Sequence, residues 1–440
     1  MNLRVLTART LGTNVIATFL GFVASIGLSH WLGPSGRGEF AAATLWPMLL
    51  VYIASMGQFV AIRYYASLPN ADVCKLCTNA LLFAVIQSII FIPLGYFFLP
   101  MMLKSQRVLV IDASRLFLWV IPISLITQNY ANLIQGRMHI TAVNWLSLIT
   151  PVGYVVGIAL LYFTHNLKVF PFVYMNLVLN CLSLIGTLSA AVILGFRLTK
   201  EIDRSLIKIM LGYGLKVQVG DIAGTINLRL NQTLLAAWMP PAQLGLYVAA
   251  NSAVLIAQLL SGAVKTVTVP SIGQQPSIQA GEALLERCFR KYWVLSLIIA
   301  LTLAVVLPKA VPLVFGESFR PAVWPAEILL VATLLAAAKD VLYGGVQALG
   351  KPWLGSQATL FAVIITVTLL PTLIRYDGIM GAAVATLVTY IGELAIFLYF
   401  LYRSTGIASR RLFFINISEA KQLFLDLQTP LISRPASKTM

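Results

Sequence analysis

A row of polar side chains recurs at helical spacing within an apolar stretch near the middle of the chain. Its members are Gln218, Asp221, Thr225, Arg229 and Gln232, separated by 3, 4, 4 and 3 positions. On an α-helix they lie within about 80° of one another along about 21 Å, and we call this row the polar stripe. Such a stripe either joins helices through buried hydrogen bonds or lines a water-filled lumen. An acid and a base on one stripe favour the lumen.

Four more ionisable residues fall inside apolar runs, where a charge is costly and commonly faces protein or water. Lys216 lies about one turn inside its run, where it could bind a ligand or extend to the lipid headgroups. Lys339 and its neighbour Asp340 could contact a substrate or form an ion pair through neighbouring helices. Glu393 is the best candidate for a carboxylate that couples transport to a proton or cation. A protonated, hydrogen-bonded packing role is the alternative for Glu393.

The composition of the chain restricts it to the membrane. Of 440 residues, 59% are hydrophobic and 10% are charged, and the mean hydropathy is +0.87. Soluble domains carry about 25% charged residues, so this chain could neither cover a soluble fold nor stay disordered. The net charge of +16 indicates basic cytoplasmic loops and contact with membrane lipids, and we expect no nucleic-acid partner.

Twelve apolar runs are long enough to cross the bilayer, for which a helix needs about 20 residues. They cover residues 11–31, 40–62, 77–99, 116–134, 143–163, 170–196, 209–237, 244–264, 292–315, 322–349, 353–374 and 379–402. We therefore predict an all-α polytopic membrane protein with twelve transmembrane helices, which we number as spans 1 to 12.

Basic residues predict the orientation of the spans. The side that holds both termini receives 20 of the 31 lysines and arginines, and the other side receives 8, among them Arg37 in a loop. This tally places both termini in the cytoplasm. The tail, residues 404–440, carries either an interfacial amphipathic helix at 412–431 or a disordered segment.

An internal repeat divides the chain into two halves. WLGPSGRGEFAAA at 31–43 matches WMPPAQLGLYVAA at 238–250, an offset of 207 residues. Six spans separate the copies, so both halves enter the membrane in the same sense. We therefore predict two six-helix lobes, 1–202 and 203–403, related by a pseudo-two-fold axis along the membrane normal. A pair of this kind leaves a central cavity and supports alternating access by rocking of the lobes.

The same offset relates the polar stripe to a second polar row on span 1. Asp221, Thr225 and Gln232 correspond to Asn14, Thr18 and Ser25. The two equivalent helices are therefore both predicted to present polar side chains to the cavity. A weaker polar row on span 4 consists of Gln128, Asn132 and Gln135.

The sequence lacks the motifs of catalysis and cofactor binding. Cys74 and Cys77 form a C-x-x-C without a second pair, and the three histidines are scattered too widely for a metal site. No phosphate loop, nucleophile elbow or metal-binding helix motif is present in the sequence. We predict a protein that is not an enzyme and that uses no cofactor or metal.

With spans and repeat in view, the chain resembles the oligosaccharide flippase and polysaccharide exporter family of the multidrug/oligosaccharidyl-lipid/polysaccharide superfamily. The resemblance lies in WLGPSGRGEFAAA after span 1, YGLKVQVGDIAGTINLRLNQTLLAAWM through span 7, LGLYVAA at span 8, ALGKPW after span 10 and DGIMGAAVATLVTYIGE through span 12. These segments follow one another in order over residues 1–402.

The resemblance implies a substrate, and among the candidate residues it extends only to Arg229 and its neighbours; the other candidates follow from their positions in the spans. Members of this family move undecaprenyl-diphosphate-linked sugars across the bacterial plasma (inner) membrane, and carry two lobes around a cationic cavity. Glycan polymerase and glycosyltransferases of the same pathway would be partners. The candidates for the diphosphate are Arg229, Lys216 and Lys339, and the other substrate-binding candidates are Gln218, Thr225, Gln232, Asn14 and Thr18. The candidates for coupling are Asp221, Glu393 and Asp340.

One position departs from the family pattern. Members often carry R-x-D late in helix 7, and this chain has Arg229, Leu230 and Asn231 there. If the acid couples transport in other members, that role is absent here or has moved to Asp221 or Glu393.

Two other classes of function remain open from the sequence. A cation-coupled multidrug antiporter of the same superfamily would need acids in its cavity, and intramembrane acids are few here. A glycan polymerase or lipid-linked glycosyltransferase would need a sizeable extramembrane loop with catalytic acids or bases. The longest non-cytoplasmic loop, about 100–115, contains only Asp112.

Overall fold

The computed structural model describes residues 3–68, 71–255, 257–258, 261–262, 264, 268, 271–272, 275–351 and 353–413. Within these ranges it describes the backbone but not the side chains of residues 3–8, 11, 216–217 and 219–228. The described part of the chain contains helices and no strand, which confirms the all-α prediction. The tail helix predicted at 412–431 lies outside the described residues, except for its first two positions.

The helices follow one another along the chain with short connections. Their bounds are α1 Leu3–Ala54, α2 Gln58–Ser67, α3 Val73–Met102, α4 Val108–Phe117, α5 Val120–Gly136, α6 Ile140–Phe163, α7 Val169–Ile193, α8 Arg204–Trp238, α9 Pro241–Val254, α10 Ile278–Phe315, the 3₁₀-helix η1 Glu317–Ala322, α11 Val323–Ala348, α12 Trp353–Thr405 and α13 Ser409–Phe413.

Eight helical stretches of the described chain are long and apolar enough to cross a membrane. They are Gly12–Ala54, Val73–Met102, Val108–Gly136, Ile140–Phe163, Val169–Ile193, Ile278–Phe315, Glu317–Ala348 and Trp353–Thr405. The 35-residue helix α8 is long enough but more polar, because it carries the polar stripe. The count of twelve spans stays a prediction.

Two of the long helices are interrupted by glycines with left-handed backbone angles. Gly33 has φ 64° and ψ −179° inside α1, and the next residue, Pro34, has no backbone N–H to donate. Asp377 and Gly378 break α12 in the same way, with φ 52° at Gly378. Each of these helices therefore consists of two halves on either side of the interruption, as expected for two spans joined without a loop.

The start of α8 is determined by a capping residue. The Asp203 carboxylate accepts hydrogen bonds from the Ser205 hydroxyl and from the backbone N–H groups of Ser205 and Leu206. These bonds, with the Ser205 hydroxyl as the largest cause, lower the pKa of the Asp203 carboxyl below its usual range. The helix that carries the polar stripe thus begins at Arg204, five residues before the predicted span.

The helices group into two compact units that do not follow simple halves of the chain. Unit 1 comprises the described residues of Met1–Leu255, Val306–Leu329 and Ala362–Thr389. One core of unit 1 lies where α2, α3 and α5 pack together, around Ile62, Cys77 and Leu133. Unit 2 comprises the described residues of Ile256–Val305, Leu330–Phe361 and Tyr390–Met440, with a core around Phe289, Leu342 and Phe397. The predicted lobe boundary at 202/203 stays a prediction.

Within unit 1 the two copies of the sequence repeat cross each other at glycines. A Cβ added to Gly38 would collide with the Pro241 carbonyl oxygen, and a Cβ added to Gly245 would collide with the Pro34 carbonyl oxygen. These four residues form two equivalent pairs at the repeat offset of 207. Their reciprocal contacts are those of a local two-fold axis, as expected for a self-complementary interface.

Candidate functional site

Unit 1 contains a cavity of about 720 Å³ next to this crossing. Its wall is built by the second half of α1, by α8 and α9, and by single residues of α2 and α5. The lining residues are Arg37, Phe40, Ala41, Thr44, Leu45, Met48, Leu49, Val51, Tyr52, Phe59, Gln128, Arg229, Gln232, Val248, Asn251, Ser252 and Leu255. We refer to this space as the central cavity.

The polar part of the cavity wall is cationic. Arg37 and Arg229 contribute two guanidinium groups, and three amides and several hydroxyls accompany them. No carboxylate is found among the described residues that line the cavity. Arginine presents planar, fixed N–H donors that match phosphate and carboxylate oxygens. The wall therefore suits an anionic group surrounded by neutral hydrogen-bonding groups.

Four pairs of lining residues obey the repeat. Ala41, Thr44, Leu45 and Met48 of α1 lie 207 positions before Val248, Asn251, Ser252 and Leu255, and all eight line the cavity. The local two-fold axis of the glycine crossing therefore extends into the cavity wall. The two guanidinium groups do not obey the repeat, because Arg37 corresponds to Leu244 and Arg229 to Phe22.

Arg229 lies on the α8 side of the cavity, as predicted from the polar stripe. It is exposed, and its Nη1 lies 3.5 Å from the Gln232 Oε1, which is a weak contact. Among the side chains that the structure describes, its other N–H donors have no partner and could bind a ligand. Gln232 lines the same wall, and Gln128 of the weaker span 4 row approaches from α5.

Arg37 lines the cavity although the predicted spans left it in the loop between spans 1 and 2. The structure has it buried inside α1 and in the cavity wall, and the side of the membrane given by the charge tally stays a prediction. Its Nη2 donates to the Ser25 Oγ at 3.1 Å. Hydropathy begins span 2 at residue 40 because Arg37 and Glu39 lower the local average, but the helix restarts directly after Gly33. The repeat motif that contains Arg37 was the signal that could have located it.

The other members of the polar stripe do not all face the cavity. Gln218 is buried and donates from Nε2 to the Tyr52 carbonyl oxygen at 3.0 Å, so it joins α8 to α1 and is not in the cavity wall. The side chains of Asp221 and Thr225, and that of Lys216, lie outside the described residues. At its Gln218 end, the polar stripe joins two helices through a hydrogen bond. At its Arg229 and Gln232 end, the stripe lines the central cavity.

The equivalent row on span 1 is only partly near the cavity. Asn14 is exposed, and Thr18 donates to the Asn14 carbonyl oxygen at 2.8 Å, a bond within its own helix. Neither is among the residues that line the cavity. Ser25 is buried behind Arg37 and positions its guanidinium.

Asn231, which stands where family members often carry an acid, joins two helices. Its Nδ2 donates to the Thr386 Oγ1 at 2.8 Å, and the Tyr247 hydroxyl lies 3.4 Å from the same oxygen. All three side chains belong to α8, α9 and the second half of α12 in unit 1.

The remaining candidate residues meet in unit 2. Lys339 Nζ lies 3.0 Å from the Glu393 Oε1 and 3.3 Å from the Asp340 Oδ1. The same Glu393 oxygen accepts a hydrogen bond of 2.9 Å from Thr359. The Lys339 and Glu393 side chains are 13% and 4% exposed, whereas Asp340 is 49% exposed. The ion pair that the sequence left as one alternative for Lys339 is the arrangement observed, and we call these residues the unit 2 charge cluster.

Solved structures identify the class of fold. The structure of the lipid II flippase MurJ in an inward closed conformation matches this chain with a TM-score of 0.78 and 12% identity. The match covers 96% of this chain and 93% of the MurJ chain. A multidrug resistance MATE family transporter of the MOP superfamily, in an inward-facing conformation, matches with a TM-score of 0.68 and 14% identity over 91% of this chain and all of that one. The chain thus has the fold of this class of membrane transporters.

The sequence comparison identifies the family. The model of the polysaccharide biosynthesis protein family matches residues 7–275, and the chain belongs to that family. The probable low-salt glycan biosynthesis flippase Agl15 of Haloferax volcanii is 26% identical over 175 residues, which are 39% of this chain and 37% of that relative. The family resemblance predicted from the sequence is confirmed, and the relatives are flippases and transporters rather than enzymes, as predicted.

Proposed function

We propose that this chain is a flippase that moves polyprenyl-diphosphate-linked oligosaccharide across the bacterial plasma membrane for surface polysaccharide biosynthesis. In this proposal twelve spans form two six-helix lobes, both termini are cytoplasmic, and the lobes alternate access to the central cavity. Glycosyltransferases would supply the substrate and a glycan polymerase would consume it. The membership of a polysaccharide biosynthesis family and the likeness to MurJ support this proposal.

The observation that carries the proposal is the charge of the cavity wall. Two guanidinium groups and no described carboxylate line the central cavity. The head of a lipid-linked glycan contains a diphosphate and many hydroxyls, and it cannot cross hydrocarbon unaided. Guanidinium groups bind phosphate oxygens through charge-assisted hydrogen bonds, while amides such as Gln128 and Asn251 suit sugar hydroxyls. The polyprenyl tail would stay in the bilayer.

Residues at each site take different parts in the proposal. Arg229 contacts the diphosphate, and Gln232 extends the polar surface beside it. Glu393 and Asp340 are kept as coupling candidates in unit 2, and Asp221 as a third on α8. The energy source is proposed to be an ion gradient or the membrane potential.

Complementation of glycan export tests the proposal. Arg229→Ala removes the exposed cavity cation, so we expect export to be lost while the amount of protein in the membrane is unchanged. Arg320→Ala is the matched control, because Arg320 is exposed and pairs with Glu317 outside the cavity. Export at the wild-type level by Arg229→Ala would remove Arg229 from the substrate site.

A cation-coupled multidrug antiporter is the second candidate function. The likeness to MATE family transporters favours it, with TM-scores of 0.68 for an inward-facing and 0.61 for an outward-facing structure. Binding of cationic drugs would call for acids in the cavity, and the described wall carries arginines instead. Raised drug susceptibility in a deletion strain with normal surface glycan would favour this second candidate.

A further inference from the structure

The segment after the last long helix packs onto the core of unit 2. Gly406, with a φ of 75°, ends α12 in the left-handed conformation that favours glycine, and the short helix α13 follows. Leu412 of α13 is fully buried. The Phe413 ring packs edge to face against the rings of Phe289 and Trp293, with centroids 5.5 and 4.9 Å apart. The apolar side of α13 is therefore part of the core of unit 2.

Two hydrogen bonds to backbone carbonyl groups hold the same segment. Arg290 Nη1 of α10 donates to the Arg411 carbonyl oxygen at 2.6 Å, near the end of α13, where helical carbonyl groups lack partners of their own. Lys351 Nζ, just before α12, donates to the Ser404 carbonyl oxygen at 2.8 Å. The backbone of this segment is thus fixed on unit 2, and its exposed side chains are held there with it.

The exposed side of this segment is basic. Arg403 at the end of α12 and Arg410 and Arg411 on α13 are all exposed. Residues 394–418 contain no acid. In the part of the chain that the structure describes, no carboxylate lies within 4.0 Å of these three guanidinium groups. We refer to the three arginines as the basic surface of unit 2.

Two tyrosines indicate the depth of the basic surface in a bilayer. Tyr399 and Tyr402 are 55% and 56% exposed, and both lie near the end of the candidate span Trp353–Thr405. Exposed tyrosines at the end of a span are typical of the headgroup level of a membrane. The Arg403 guanidinium lies 6.0 Å from the centroid of the Tyr399 ring, and its Nη1 lies 3.4 Å from the Tyr399 hydroxyl. Arg403 is therefore at the depth where lipid phosphates lie.

We infer that Arg403, Arg410 and Arg411 bind the phosphate groups of anionic phospholipids, and that the docked helix α13 holds them at the membrane interface. Guanidinium groups match phosphate oxygens in charge and in donor geometry. Lipid is favoured over an acidic protein because the exposed tyrosines put Arg403 at the headgroup level. The basic surface belongs to unit 2 and takes no part in the proposed substrate site, so the proposed function could fail while lipid binding here stands.

Titration of the full chain in detergent with short-chain phosphatidylglycerol tests this surface, with phosphatidylcholine as the neutral lipid. We expect phosphatidylglycerol to raise the Tm more than phosphatidylcholine does. Arg410→Gln/Arg411→Gln should weaken the apparent affinity for phosphatidylglycerol by about 30-fold, because each basic residue near an anionic surface contributes about 5-fold. Its Tm without lipid should equal that of the wild type, since both side chains are exposed.

The matched control removes the same charge elsewhere. Arg197 and Lys200 are exposed between α7 and α8. Arg197→Gln/Lys200→Gln should therefore bind phosphatidylglycerol as the wild type does. Inorganic phosphate is the control for the lipid itself, and we expect it not to raise the Tm.

Two further variants test the surface without changing both arginines of α13. Arg403→Gln should weaken the apparent affinity for phosphatidylglycerol by about 5-fold. Phe413→Ala keeps all three arginines but removes the ring contacts with Phe289 and Trp293, so it should also weaken the binding, because α13 is then less firmly held.

Three results would overturn the assignment of anionic lipid to this surface. The first is equal affinity for phosphatidylglycerol in the wild type, Arg403→Gln and Arg410→Gln/Arg411→Gln. The second is an equal loss in Arg197→Gln/Lys200→Gln, because the effect would then follow net charge alone. The third is an equal rise in Tm with inorganic phosphate, because the lipid would then not be needed.

Discussion

Arg229 and Lys339 carry the same charge in opposite surroundings. Arg229 is exposed to the cavity and has one weak contact, whereas Lys339 is held by Glu393 and Asp340. A buried lysine with two acidic neighbours is already satisfied, so a substrate phosphate would have to displace a carboxylate. Arg229 is therefore the better candidate for contact with the substrate. The predicted contact of Lys339 with the substrate has no support from the geometry.

The buried ion pair predicts an asymmetric mutational pattern in unit 2. Lys339→Met leaves the Glu393 carboxylate buried without its counter-charge, so it should cost about 3–5 kcal/mol of stability, whereas Glu393→Gln leaves Asp340 beside Lys339 and should cost less. Lys339→Met/Glu393→Gln removes both charges of the pair and should cost clearly less than the sum of the single changes. Thermal unfolding of the four proteins in detergent measures this coupling. Additive losses would mean that the two side chains do not depend on each other.

The proposed role of Glu393 in coupling also predicts an effect on ion-driven export. Thr359 and Lys339 both donate to the same Glu393 oxygen, so proton binding there would have to release Lys339. Glu393→Gln is therefore expected to stop ion-driven export but to leave the binding of a polyprenyl-diphosphate-linked glycan by the purified protein intact. Export at the wild-type rate would remove Glu393 from coupling.

The site could be predicted from the sequence only in part, for a reason visible at single residues. Arg229 and Gln232 were found because helical spacing inside an apolar run is a strong signal. Arg37 was missed because it lies close to a polar turn, where hydropathy cannot distinguish a loop from the start of a buried helix. Gln218 was also found by its helical spacing, but it bonds to a neighbouring helix. Spacing alone does not say whether a helix or a lumen covers a residue.

At the scale of elements, α1 and α9 depend on the glycine crossing. A Cβ at Gly38 or Gly245 would meet backbone rather than a flexible side chain. We therefore expect Gly38→Ala and Gly245→Ala each to lower stability by about 1–3 kcal/mol or more, because overpacking against backbone cannot relax. Gly21→Ala is the matched control in α1, since its added Cβ would meet nothing within 4 Å.

The outcome is measured as the Tm of purified protein together with glycan export. The control should be neutral or slightly more stable, because alanine favours a helix over glycine. Equal behaviour of Gly38→Ala and Gly21→Ala would contradict the close approach of the two repeat copies.

A second set of contacts joins α2, which follows the second half of α1, to α8. Gly57 and Gly214 pack backbone to backbone, and the rings of Tyr64 and Tyr213 stack at 5.1 Å with 7° between their planes. These contacts join α2 to α8 within unit 1, apart from the glycine crossing that joins α1 to α9. Alternating access requires one of these contacts to open in each half of the cycle.

Cross-linking the second contact tests this requirement. Tyr64→Cys/Tyr213→Cys, in a background without Cys74, Cys77, Cys181 and Cys288, should lose transport when a short bismaleimide joins the two thiols. The single-cysteine variants treated with the same reagent are the controls and should keep transport. Full transport by the cross-linked protein would mean that α2 and α8 do not separate during the cycle.

For the molecule as a whole, the sequence predicted the type of fold better than its boundaries. The repeat at an offset of 207 predicts two lobes related by a two-fold axis. The reciprocal Gly38 and Gly245 contacts show such a relation locally, and the arrangement of the lobes stays a prediction. Helix interruptions at Gly33 and Gly378 fall between predicted spans, because glycine and proline end helices by local chemistry. The grouping of segments into units could not be predicted, since it depends on side-chain packing between distant parts of the chain.

Flipping by the purified chain in liposomes tests most directly whether the protein is a flippase for lipid-linked oligosaccharide. The substrate is a fluorescent polyprenyl-diphosphate-linked oligosaccharide, and its accessibility to a membrane-impermeant quencher reports movement between leaflets. We expect flipping by the wild type and Arg320→Ala, and a rate about 10- to 100-fold lower for Arg229→Ala, because that variant loses one charge-assisted contact. Equal flipping by Arg229→Ala and the wild type, or no flipping by the wild type with an ion gradient present, would contradict this expectation.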